Sequence, residues 1–232
     1  MIDKIQGSLA AALAGVQDGS TVMVGGFGDA GLPNELVDAL IVQGARDLVV
    51  VNNNAGQGES GVAALLASGH VRKIICSFPR NVDSQVFDEL YRSGKLELEL
   101  VPQGTLVERI RAAGAGIGAF YTPTAFGTEL AKGKETRRIN GRDYVLEHPL
   151  YADYALIKAE AADRWGNLVY RKTARNFGPV MATAAKCAIA QVHRTVALGE
   201  LDPEAIVTPG IFVARVVKVP RVPAAAIAAG RQ

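Results

Sequence analysis

Between Thr21 and Ala113 the chain alternates short apolar runs with longer stretches of helical character. Strands are expected at Thr21–Val24, Leu48–Val51 and Val71–Cys76; Leu48–Val51 is a continuous apolar run, the pattern of a strand buried on both faces. Helices are expected between them. Pro33 sits where a helix begins and Gly44 where one stops. Further helices are expected over residues 3–15, 59–68 (closed by Gly69), 83–93 (closed by Gly94) and 105–113. Leu96, Leu98 and Leu100 alternate with Glu97 and Glu99, so this strand has one wet face and belongs near a sheet edge. Such a β-α-β-α order calls for a parallel sheet covered by helices.

After Gly114 the rhythm changes. Residues 132–142 are polar and read as a hairpin. Strands are expected over 144–147 and 155–158, and over 168–171 behind the turn Trp165-Gly166-Asn167. A helix over 177–186 and strands over 188–192 and 212–219 complete the pattern. No change of composition marks a linker, so residues 1–219 read as a single domain. The Pro/Ala-rich stretch 220–232 is expected to fray.

Composition narrows the function classes. The chain has 232 residues, 49% hydrophobic and 21% charged, which excludes disorder as its main state. A net charge of +2 with no basic stripe argues against a dedicated nucleic-acid binder. Two cysteines, Cys76 and Cys187, exclude a disulfide scaffold. With His70, His148 and His193 scattered, no metal cluster is expected, and the cytoplasm is the natural compartment. No apolar run is long enough to span a membrane, and residues 8–16 read as part of an amphipathic helix, not a signal core.

Gly25, Gly26, Phe27, Gly28, Asp29, Ala30 and Gly31 form a loop between the first of these strands and the helix behind Pro33. Residues 26–31 satisfy G-x-G-x-x-G, in which glycines let the backbone approach a pyrophosphate. A dinucleotide fold also needs an acid at the end of the next strand. That strand ends in Asn52-Asn53-Asn54, and Asp47 lies at its start, so an NAD site is disfavoured. Ligands of open parallel sheets sit beyond the carboxyl ends of the strands. There the sequence places Asn53 and Asn54, then Ser77 to Arg80, then Pro102-Gln103-Gly104. These are neutral donors suited to a carbonyl oxygen that becomes an oxyanion; each also fits an ordinary turn or helix cap. No nucleophile accompanies them. There is no G-x-S-x-G, Cys76 lies in an apolar strand, and Glu59 fits a helix first turn. The residues describe half of an active site.

The loops resemble those of the 3-oxoacid CoA-transferases. Asp18-Gly19, the apolar run, Gly25-Gly26-Phe27 and Gly31-Leu32-Pro33 are similar to that family's first signature. The likeness continues through Asn53-Asn54-Ala55-Gly56, Pro102-Gln103-Gly104-Thr105, Gly118 to Thr124 and Ala174-Arg175-Asn176-Phe177, covering about residues 3–218. The length resembles the α (or A) subunit of two-subunit enzymes. The resemblance implies an open, mostly parallel α/β sheet with helices on both faces, shared with sugar-phosphate isomerases. It implies no bound cofactor, with a CoA thioester, succinyl-CoA, as substrate and a 3-oxoacid as acceptor. Arg175-Asn176-Phe177-Gly178-Pro179 is similar to the branch that takes 3-oxoadipate ahead of acetoacetate.

In such enzymes a glutamate attacks the thioester to give an acyl-glutamyl anhydride. CoA returns to form a glutamyl thioester, which the acceptor attacks. That glutamate lies in a Ser-Glu-Asn-Gly motif of the other half, absent from this chain. A CoA-transferase B subunit is therefore implied as partner, in a heterodimer or a higher assembly. Gly25 to Gly31 match the CoA-binding stretch, Gln103 the glutamine that faces the thioester carbonyl, and Asn53 and Asn54 active-site amides. Arg80 and Arg175 are candidates for the second carboxylate of the acceptor. A sugar-phosphate isomerase or a nucleotide-binding module of the same fold remain the alternatives of other classes.

Overall fold

The computed structural model describes residues 1–81 and 83–221. Its main sheet has nine strands. In space the order is β1 (Ile5–Gln6), β12 (Arg215–Lys218), β11 (Ala185–Val196), β9 (Ala152–Asp163), β2 (Thr21–Val24), β3 (Leu48–Val51), β4 (Val71–Cys76) and β5 (Glu97–Leu100). All these neighbours run parallel, and β10 (Leu168–Val169) joins β9 antiparallel.

Side chains of a strand alternate between its faces, and here both faces are covered. Val22, Val24, Val50, Ile74 and Leu156 pack with α1 (Leu9–Ala12), α2 (Asn34–Gln43), α3 (Val62–Ala67) and α4 (Gln85–Arg92). Met23, Val49, Val51, Ile75 and Ile157 pack on the opposite face with α5 (Gln103–Gly114) and α6 (Gly178–Ala184). This two-sided burial is why β3 reads as an unbroken apolar run. β5 lies at one edge of the sheet, in agreement with its alternating pattern.

A second sheet of three antiparallel strands, ordered β6 (Phe120–Thr122), β8 (Arg142–Glu147) and β7 (Thr136–Ile139), stands beside α5. An ion network ties it down. Glu147, 3% exposed, receives Lys134 Nζ at 2.5 Å and lies 3.9 Å from Arg109 of α5. Arg109 reaches on to Glu99 of β5 at 2.9 Å, and Lys73 of β4 holds the same carboxylate at 2.6 Å.

Local expectations are corrected where long-range pairing decides. The helix expected over 3–15 is replaced by β1, which pairs with Val216 and Val217, and by α1, only four residues long. Ser8 caps α1 by accepting from Ala11 N at 3.1 Å. α3 starts at Val62, not at 59, because Gly61 has φ +56°, outside the helical region. α5 begins two residues early, so Gln103 belongs to its first turn and not to a loop. His70 is buried between α3 and β4. Of the stretch expected to fray, residues 222–232 lie outside the described residues, and Arg221 pairs with both oxygens of Glu160 at 3.0 and 2.7 Å.

Candidate active site

The chain passes from β2 to β3 in one direction across the sheet and from β9 to β11 in the other. The direction reverses between β2 and β9, and open α/β sheets bind ligands at such a switch point. The glycine loop leaves β2 there. Its backbone is packed closely: a Cβ on Gly31 would stand 2.5 Å from the Ala174 carbonyl oxygen, and Gly31 has φ +78°. Asn176 Nδ2 donates to the Ala30 carbonyl at 2.8 Å. The turn before α6 therefore backs the loop.

The asparagine run at the end of β3 has three separate tasks. Asn52 Nδ2 donates to the Val24 carbonyl at 2.7 Å, and its Oδ1 accepts from Asn54 N at 2.9 Å. Asn54 Oδ1 accepts from Gly56 N at 2.8 Å, and Asn54 lines a small space with Gly28 and Asp29 of the glycine loop. Asn53, 5% exposed, carries the central contact. Its Oδ1 accepts from Gln103 Nε2 and from Ser77 Oγ, both at 2.8 Å. Among the described residues, Asn53 Nδ2 and the second N–H of Gln103 make no other hydrogen bond.

The structure thus unites Asn53 and Gln103 and sets Asn54 toward the glycine loop. The sequence does not reveal the parts of Asn52 and Ser77 in this arrangement, because an asparagine run gives no sign of which amide faces where. Beside Gln103 opens a cleft of about 520 Å³ with Thr105, Phe120, Thr122 and Phe177 among its walls. Across the turn, Arg175 and Lys172 line a second cleft of about 760 Å³. Arg80 instead pairs with Asp88 of α4 at 2.6 Å. Burial pushes the Cys76 thiol up to about 12, so it is no nucleophile at neutral pH. Glu59 is exposed. Among the described residues no helix is long and apolar enough to cross a membrane.

The parallel sheet carries paired amides at its strand ends, donors suited to a developing oxyanion, while beside them the Ser77 hydroxyl is spent on Asn53 and the Glu108 carboxylate is held by Arg111. The coenzyme A transferase family matches residues 7–219, and the chain belongs to that family and to the CoA-transferase class of enzymes. It is 68% identical over 228 residues to the A subunit of 3-oxoadipate CoA-transferase from Pseudomonas putida, covering 98% of this chain and 99% of that protein. It is 46% identical over 217 residues to the A subunit of succinyl-CoA:3-ketoacid coenzyme A transferase from Helicobacter pylori, covering 94% and 93%. Among solved structures, a variant of the decarboxylase AibA/AibB superposes with a TM-score of 0.80 at 29% identity, covering 94% of this chain and 84% of that one.

Proposed function

We propose that this chain is the A subunit of a heteromeric enzyme that moves CoA from succinyl-CoA to a 3-oxoacid, with 3-oxoadipate as the preferred acceptor. The observation that carries the reading is the Asn53–Gln103 pair, which presents amide donors while the neighbouring Ser77 hydroxyl is spent on Asn53 and the Glu108 carboxylate is held by Arg111. The partner, the B subunit, supplies the glutamate that attacks the thioester. Negative charge then develops on the thioester oxygen, where Gln103 and Asn53 donate hydrogen bonds that strengthen in the transition state. Asn54 and residues 25–31 form the wall against which CoA lies, the glycines keeping the backbone open to it.

Two features support a partner on the strand-end side. Phe27 and Phe78, in the loops after β2 and β4, are 52% and 58% exposed, and large apolar side chains at such positions mark association surfaces. The near-complete match to a 3-oxoadipate transferase chain supports the acceptor. Arg175 is the candidate for the acceptor's second carboxylate, since it lines a cleft and makes no ion pair among the described residues, whereas Arg80 is occupied by Asp88. The test is to co-purify the chain with its partner and assay a panel of 3-oxoacids with succinyl-CoA. The reading requires 3-oxoadipate to give the highest kcat/KM. Acetoacetate matching or exceeding it would reassign the acceptor.

A further inference from the structure

In the stretch Arg175-Asn176-Phe177, Arg175 lines the 760 Å³ cleft and Phe177 the 520 Å³ cleft beside Gln103. Asn176, between them, has its carboxamide fully used. Nδ2 donates to two main-chain carbonyls, that of Ala30 in the glycine loop and that of Thr173 in the turn Lys172–Arg175, each at 2.8 Å. Oδ1 accepts from Phe177 N at 2.6 Å, where α6 begins. One side chain thus joins the glycine loop, the turn that carries Arg175 and the start of a helix.

Little else holds the loop. Phe27 N donates to the Ala30 carbonyl at 3.0 Å and Ala30 N to the Phe27 carbonyl at 3.2 Å, so the loop closes on itself around Gly28. Asn176 takes the second lone pair of that Ala30 carbonyl. Residues 27–30 are exposed or half-buried, so burial does not fix them. Among the described residues, one other hydrogen bond ties residues 26–31 to a distant part of the chain: Gln57 Nε2 donates to Asp29 Oδ2 at 3.5 Å, on the surface. The close approach of Gly31 to Ala174 lets the loop lie against the turn, and Asn176 holds it there. A loop ordered before its ligand arrives loses less freedom on binding and binds more tightly.

We propose that Asn176 is a positioning residue for CoA, clamping the glycine loop to the turn before α6 in the conformation that receives the thioester. This rests on the glycine loop being a wall of the CoA site, as proposed above. Asn176 acts through the Ala30 carbonyl and touches no reacting atom.

The test compares wild type, Asn176→Asp and Asn176→Ala in the full complex with the partner. Aspartate keeps the size of the side chain and the acceptor for Phe177 N but loses both donors; alanine loses them without adding a charge. Two quantities are read: hydrogen–deuterium exchange of residues 25–33 by mass spectrometry, and KM for succinyl-CoA against kcat. In both variants exchange of residues 25–33 should quicken and KM should rise about three- to tenfold, the loss of a hydrogen bond. The value of kcat should stay within about twofold, because the clamp serves ground state and transition state alike. Loop exchange at the wild-type rate would overturn the proposal. So would a lowered thermal midpoint with faster exchange throughout β2 and α6 and KM unchanged, the mark of a structural role alone. A rise in KM confined to Asn176→Asp and abolished by high salt would show charge repulsion of CoA in place of a clamp, and would overturn it too. Faster exchange confined to the loop, with KM unchanged in both variants, would show that the loop is no wall of the CoA site; that reading then fails, and the proposal with it.

Discussion

Gln103 Nε2 stands 2.8 Å from Asn53 Oδ1 and donates to it, joining the first turn of α5 to the end of β3 across fifty positions of sequence. The contact fixes which edge of each amide is free. Gln103→Leu should leave the fold intact and lower kcat on the order of 100- to 1000-fold, about 3 kcal/mol of transition-state stabilisation. Asn53→Ala should lower it as well, because it releases Gln103 and removes its own donor. The double variant should lose much less than the product of the two single effects, since the residues act as a unit. Steady-state kinetics of the complex checks this. Independent, multiplicative losses would show that the contact has no catalytic role.

Arg175 and Arg80 should separate cleanly. Arg175→Gln should lower kcat/KM for 3-oxoadipate by roughly 10- to 100-fold, the loss of a charge-assisted contact, and spare acetoacetate. Arg80→Gln removes an exposed pair with Asp88, should alter stability by no more than about 1 kcal/mol, and should leave acceptor preference alone. Competition between the two acids is the readout. Equal losses for both acids in Arg175→Gln would rule out a role in selecting the second carboxylate.

Glu99 makes the stability of the sheet edge dependent on acid. Burial raises its carboxyl, but the hydrogen bonds and charges of Lys73 and Arg109 outweigh that and hold it below the ordinary glutamate range. A group whose value is depressed by folding contributes stability that is complete above its unfolded value, about 4.3, and is lost as pH falls through the folded value. The stability difference between wild type and Glu99→Gln should therefore be constant near neutrality and shrink below about pH 4.3. Urea unfolding at a series of pH values measures it. A difference that grows on acidification would contradict the network.

The strands at 21–24, 48–51 and 71–76 are legible to the residue in the sequence, 48–51 because burial on both faces leaves an unbroken apolar signal and 71–76 in spite of Arg72 and Lys73 near its start. β1 is not, because its two residues are strand only through pairing with Val216 and Val217, far along the chain. The site divides in the same way. Strand-end position marks Asn53 and Gln103 as candidates, but their contact depends on how β3, β4 and β5 stack, which no local pattern encodes. The alternation of Leu96 to Leu100 signals an edge strand correctly, yet hides that Glu99 is clasped by Lys73 and Arg109 instead of facing open water.

Covalent trapping tests most directly whether this chain supplies only half of an active site. The complex of this chain with its partner is incubated with succinyl-CoA, reduced with borohydride and mapped by peptide mass. Reduction of a glutamyl thioester should modify one glutamate of the partner and none of the 232 residues here. The isolated chain, shown to unfold cooperatively, should trap nothing and transfer no CoA. A reduced adduct on Glu59, or on any other glutamate of this chain, would contradict the half-site assignment.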